Sequence, residues 1–213
     1  MIYDIDIAKQ VAKSLLQINA IILQPNNPFK WAAGWNSPIY CDNRKTLSYP
    51  EIRTFIRSSL SSAIINHYKG ANVIAGVATA GIPHGALVAE ELGLPFIYVR
   101  AKAKEHGKQN KIEGHFEEGQ TVVLVEDLIS SGKSSLEAVA ALREAGMNVK
   151  GLVSIFTYGF EAASQNFKNA DCEFVSLCDY DNMLPQALET NHITSEELPL
   201  LKQWRKDPSI WKK

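Results

Sequence analysis

The segment Thr121–Ser135, T-V-V-L-V-E-D-L-I-S-S-G-K-S-S, constrains the fold more than any other part of the chain. A β-branched, apolar run stops at two adjacent carboxylates, Glu126 and Asp127. A run of this kind has the composition of a strand buried on both faces. Small residues then form a loop, from Ser130 and Ser131 through Gly132, Lys133 and Ser134 to Ser135, and helix-forming residues follow from Leu136 to Glu144. A buried strand thus delivers two acids to a sheet edge, with a helix N-terminus opening a few residues later. Backbone N–H groups of such a loop and helix end favour a phosphate. The acids suit the hydroxyls or the metal of a sugar carrying that phosphate. Together these chemistries point to a phosphorylated sugar.

Two other readings of the segment compete. Gly132-Lys133-Ser134 resembles the end of a P-loop, but that motif needs a glycine where Asp127 stands, and a carboxylate there would repel a polyphosphate. The plainer alternative is an ordinary strand-loop-helix turn whose acids are solvated.

The surrounding pattern favours an α/β fold. Asp4–Leu23 has helical apolar spacing at Ile7, Val11, Leu15, Leu16 and Ile18. Phe29–Asp42 is aromatic and turn-rich, as suits short strands in a small hood. A helix opens at Pro50 and ends near Gly70. Strands are then expected at 72–77, 95–100, 121–126, 149–158 and 174–178, with helices at 82–92, 136–146 and 161–167. Strands separated by helices imply right-handed crossovers and a mainly parallel sheet. Ligands of such sheets bind beyond the carboxyl ends of the strands. The whole chain reads as one domain over 1–213: a hood mainly from 1–45, a core of about 46–190 and a tail of 191–213 whose Trp204 and Trp211 anchor it.

Composition narrows the function classes. With 213 residues, 46% of them hydrophobic, the chain can bury one full core. A net charge of -1 argues against a general nucleic-acid binder. The apolar segments are of strand length, so no membrane span is expected. Residues Met1–Gln10 lack the apolar stretch of a signal peptide. The 3 cysteines, Cys41, Cys172 and Cys178, form no CxxC pair and read as structural thiols in a reducing, cytoplasmic setting.

Two further segments belong with the acids. Ala101–Gly119 is a long basic stretch holding Lys102, Lys104, His106, Lys108 and Lys111 just after Arg100. Long loops are usually lids or disordered segments, and glycines at 107, 114 and 119 allow hinge motion. A lid of this kind can close on a diphosphate, with Arg100 forking onto two phosphate oxygens. Gly76–Pro83, G-V-A-T-A-G-I-P, is a second small-residue loop entering a helix, where backbone can approach an anion.

The Thr121–Ser135 run resembles the phosphoribosyl pyrophosphate (PRPP) signature of type I phosphoribosyltransferases. S-P-I-Y-C-D-N-R at 37–44, G-V-A-T-A-G-I-P-H-G at 76–85, Y-V-R-A-K-A-K-E-H-G at 98–107 and I-F-T-Y-G-F at 155–160 make the likeness specific to the orotate-using branch. The resemblance implies a type I phosphoribosyltransferase fold, with a parallel sheet, an N-terminal hood and a lid. It further implies transfer of phosphoribose from PRPP to orotate in pyrimidine (UMP) biosynthesis, with Mg²⁺ bound mainly through PRPP or pyrophosphate.

By the same resemblance, Arg100, Lys104 and His106 bind the diphosphate, and Lys104 and Asp127 are the catalytic pair. Glu126 and Asp127 hold the ribose hydroxyls. Leu128, Ile129, Ser130, Ser131, Gly132, Lys133 and Ser134 wrap the 5-phosphate, and Ser130 also meets orotate. No protein side chain is assigned as a metal ligand. The lid of one subunit serves the site of its neighbour, so a homodimer is expected. The chain departs from the enterobacterial pattern where Ala32 and Ala80 replace lysines and Tyr158-Gly159-Phe160 replaces an orotate-contacting arginine; Arg44 is a candidate substitute. Alternatives are a purine-base phosphoribosyltransferase and a non-catalytic PRPP-sensing regulator.

Overall fold

The apolar run at Thr121 forms the middle of a six-stranded sheet. The computed structural model describes residues 1–31, 34–101 and 111–212. Its strands are β1 (Ile21–Leu23), β2 (Phe29–Lys30), β3 (Asn36–Ser37), β4 (Ile39–Cys41), β5 (Val73–Val77), β6 (Phe96–Val99), β7 (Ile112–Glu113), β8 (Thr121–Ile129), β9 (Asn148–Thr157) and β10 (Phe174–Asp179). Its helices are α1 (Ile5–Gln17), α2 (Pro50–His67), α3 (Gly81–Leu92), α4 (Lys133–Glu144), α5 (Glu161–Asn169), α6 (Tyr180–Glu189) and α7 (Leu198–Lys206), with a 3₁₀ turn over Asn43–Ser48.

The main sheet has the order β10-β9-β8-β5-β6-β7, and every pairing is parallel except β6 with β7. Alternation along β8 divides its side chains between two cores. Val123 and Val125 join the layer of α1, α2, α3 and α6, while Val122 and Leu124 join the layer of α4 and α5. This explains why the strand reads as a continuous apolar run rather than an alternating one.

Two small antiparallel strand pairs, β1 with β4 and, between them in the chain, β2 with β3, make the hood. The C-terminal segment ties it to the sheet. Trp204 of α7 is 0% exposed and packs against Trp31 of the hood, Tyr158 and Phe160 past β9, and Tyr180 of α6. Lys212 donates to the Pro25 carbonyl at 2.6 Å, and its own carbonyl accepts from Asn36. The tail is therefore a strap across the hood, as its tryptophans implied.

Several boundaries differ from the sequence expectation. The first helix ends at Gln17 instead of reaching Leu23, because Asn19 adopts φ 53 and the chain turns into β1. Strand β8 continues through Glu126 and Asp127 to Ile129, so the acids lie within the strand and not past it. Helix α4 starts at Lys133, which makes Lys133 the first helical residue and not a loop residue. The second half of the basic segment is not featureless: Ile112 and Glu113 add an antiparallel edge strand to β6.

Candidate active site

The carboxyl ends of β5, β6 and β8 bring three segments together. Glu126 and Asp127 face opposite ways, as neighbours on a strand must. Glu126 is only 5% exposed. Its Oε2 accepts from the Ser135 hydroxyl on α4 at 3.2 Å, and its Oε1 accepts from the Asp127 N–H at 3.1 Å. Burial, followed by the charge of Asp127, pushes the Glu126 carboxyl well above the usual carboxylate range. Asp127 is part-exposed and turned toward the hood, and burial raises it as well, against the opposing pull of Arg44. Its backbone carbonyl accepts from the Asn43 side-chain amide at 2.7 Å. Asn43 is itself fully buried, and so pins the end of the hood to the acid-bearing strand.

Beyond the acids, Leu128, Ser130, Ser131, Gly132, Lys133, Ser134 and Glu137 line a cavity of about 430 Å³. Gly132 takes φ 78 at the start of α4, and no side chain caps that helix. The helix N-terminus is thus open to an anion. The loop is held from below: the Tyr158 N–H and the Thr157 hydroxyl both donate to the Ile129 carbonyl, at 3.1 and 3.3 Å, and Asn166 donates to the Ser131 carbonyl at 3.0 Å.

The small-residue loop lies directly alongside. A Cβ on Gly81 would collide with the Val125 carbonyl, so only glycine lets α3 begin this close to β8. A narrow cavity of about 30 Å³ runs between Ala78, Arg100, Lys111, Ser134 and Glu137. It joins the loop, the end of β6 and the start of α4. Arg100 donates to Glu113 at 3.4 Å, a long contact at a partly exposed site. Lys102, Lys104, His106 and Lys108 lie outside the described residues, as does Ala32.

Arg44 does not stand as a free cation. Its Nε and Nη2 donate to the two oxygens of Asp42 at 2.6 and 3.0 Å. Sequence reasoning also missed residues that the fold brings in. Ser135 closes the signature but carried no separate signal. Asn43 sits inside the S-P-I-Y-C-D-N-R segment, whose local pattern does not single out its amide. Arg205 of α7 reaches Gly159, and no local pattern announced it.

The phosphoribosyl transferase domain family matches residues 51–184. The chain is 55% identical to the orotate phosphoribosyltransferase of Cytophaga hutchinsonii over 205 residues, covering 96% of this chain and 98% of the relative. It is 51% identical to the orotate phosphoribosyltransferase of Listeria innocua over 207 residues, 97% and 99% of the two chains. Among solved structures, the orotate phosphoribosyltransferase of Aeropyrum pernix superimposes with TM-score 0.74 at 27% identity, covering 83% of this chain and 97% of that one. The UMP synthase of Leishmania donovani gives TM-score 0.79 at 27% identity, over 93% of this chain and 42% of that longer one.

Proposed function

The chain belongs to the orotate phosphoribosyltransferase family, and from that premise we propose that it transfers the 5-phosphoribosyl group of PRPP to N1 of orotate. The products are orotidine 5′-monophosphate and pyrophosphate, as pyrimidine biosynthesis requires. The observation that carries the reading in this chain is the acid pair of β8 set between an uncapped helix N-terminus and the Arg100 cavity. A ribose with a phosphate at each end fits between those poles.

The electrostatics match the reaction. The bond from C1 to the diphosphate oxygen breaks, its electron pair leaving with pyrophosphate, as the bond from orotate N1 to C1 forms. Positive charge develops on the sugar while negative charge grows on the leaving group. Carboxylates beside the ribose and cations beside the diphosphate are aimed at these opposite charges, which is preorganised stabilisation. Orotate reacts as its N1 anion, so no side chain is assigned as general base. The raised carboxyls of Glu126 and Asp127 fit this role, because a cationic sugar is the partner that draws them into their charged form.

Asp127 is also a hard oxygen donor of the type Mg²⁺ prefers. A Mg²⁺ held mainly through the diphosphate would supply charge neutralisation there. Lys104 and His106 complete the diphosphate site from the lid of a partner subunit, making the working unit a homodimer. Ser130 meets the base.

The test is to incubate the protein with PRPP and Mg²⁺ and follow loss of orotate absorbance, with purine bases as controls. Consumption of a purine base in place of orotate would overturn the reading. For sharing of the site, Lys104→Ala and Asp127→Asn proteins are mixed under conditions that exchange subunits. Regained activity is expected, and none in proven heterodimers would refute it.

A further inference from the structure

Orotate carries a carboxylate that uracil lacks, and the wall it approaches is already negative. Asp42 in the hood lies close enough to Asp127 for its charge to raise that carboxyl, so hood and acid-bearing strand present negative charge together. An anion entering there needs a cation, and the other described arginines are spent or misplaced. Arg44 forks onto Asp42, Arg53 donates to the Leu47 carbonyl at 2.7 Å, and Arg57 pairs with Glu91 at 2.6 Å on the helical layer. Arg143 donates to the carbonyls of Ala170 and Asp171 below the sheet. Arg100 lies past β6 at the diphosphate end.

Arg205 differs from these. It occupies the last turn of α7, and its Nη2 lies 3.1 Å from where a Cβ on Gly159 would stand. Gly159 lies two residues past the end of β9, and its N–H donates to the Thr157 hydroxyl at 3.1 Å; that hydroxyl in turn donates to the Ile129 carbonyl at the root of the phosphate loop. The guanidinium is therefore held at the carboxyl edge of the sheet, on the side of the acids away from Arg100. Glycine at 159 leaves room for it.

Its hydrogen-bonding capacity is largely unspent. The Nε is buried without a partner among the described residues, and the ion pair to Asp181 is 3.5 Å long with an Asp181 side chain 66% exposed. An exposed pair of that length contributes little, whereas a buried donor left unmade is costly. The neighbouring Trp204, locked among Trp31, Tyr158, Phe160 and Tyr180, fixes the helix that presents the guanidinium. A pre-positioned planar fork beside aromatic rings suits a planar carboxylate.

We propose that Arg205, delivered by the C-terminal helix, recognises the carboxylate of the acceptor base and sets the preference for orotate over uncharged pyrimidines. The inference rests on the orotate reading above, and the two fail in different ways. If the unmodified enzyme does not consume orotate, the function is wrong. If it does, Arg205→Gln and Arg205→Lys decide the rest.

For Arg205→Gln, the expected result is a KM for orotate raised roughly ten- to a hundredfold, the effect of losing a hydrogen bond to a charged group. The KM for PRPP and the thermal midpoint should stay near wild type, and Arg205→Lys should recover part of the loss. An unchanged KM for orotate would overturn the proposal. So would a joint rise of both KM values with a lowered midpoint, since that is what a mere tail anchor gives. Should Arg205→Gln fold poorly, Asp181→Asn separates the cases: it leaves or lowers the KM for orotate if the substrate is the true partner, and a rise refutes the assignment.

Discussion

His84 is a histidine with nowhere to put a proton, and its titration gives a direct test of the packing around the small-residue loop. It sits in the first turns of α3, 2% exposed, with Nε2 buried and without a hydrogen-bond partner. Burial alone lowers its pKa from the ordinary 6.5 to about 4. In the unfolded chain the imidazole takes up its proton as the pH falls through the ordinary value, while the folded state does not. The unfolded state therefore binds more protons between those two values, and stability falls as pH falls through that window. Between pH 7 and pH 5 the linkage amounts to about 2 kcal/mol of lost stability from this one group.

Other groups titrate over the same range, so the effect must be read as a difference. His84→Met keeps an apolar side chain of similar bulk and removes the titration. Urea denaturation of both proteins at pH 7 and pH 5 gives two changes in unfolding free energy. The wild-type protein should lose about 2 kcal/mol more than the variant on acidification. Raised carboxyls such as Glu126 work in the opposite direction, since acid relieves their burial, but they cancel in the comparison. Equal losses in the two proteins would show that His84 accepts a proton in the folded state, and the account of its burial would be wrong.

Other outcomes follow from the same geometry. Asp127→Asn should fold normally, because the Asn43 bond goes to the backbone carbonyl, yet steady-state turnover should drop roughly 10²–10³-fold. Gly81→Ala forces a methyl group into the Val125 carbonyl, and denaturant melts should show a loss of about 1–3 kcal/mol. Trp204→Ala empties the aromatic cluster under the hood, and the same assay should record about 3–5 kcal/mol. Lys104→Ala should leave the melting curve unchanged and slow turnover severely; normal turnover would remove that lysine from the diphosphate site.

The legibility of the sequence followed the range of the interaction concerned. The central strand, the acid pair and the small loops were readable because adjacent residues carry them and their spacing is local. The helix expected at 82–92 ends where Gly93, at φ 64, caps it. The errors arose where two local preferences were equally good. Ile21 and Ile22 continue a helical apolar spacing as well as they begin a strand, and only the left-handed Asn19 decides. Helix α6 escaped notice because it carries Pro185 inside it, although Asp179 caps it by accepting from the Asn182 N–H at 2.8 Å. The links from Asn43 to Asp127 and from Arg205 to Gly159 join distant parts of the chain, and no local window contains them.

Strand alternation also divides labour within the acid pair, which the sequence shows only as two adjacent letters. Glu126 points toward α4 and is bonded to Ser135 in its first turns, so its side chain couples the strand to the helix that presents the phosphate loop. Asp127 points to the hood, where a ribose has access to it. Removing Glu126 would disturb the angle at which the helix N-terminus meets a phosphate, whereas removing Asp127 takes away a direct partner of the sugar. The buried acid thus acts through position and the part-exposed one through contact. Burial raises both carboxyls in the free enzyme, and the charge that develops on the ribose favours their anionic forms.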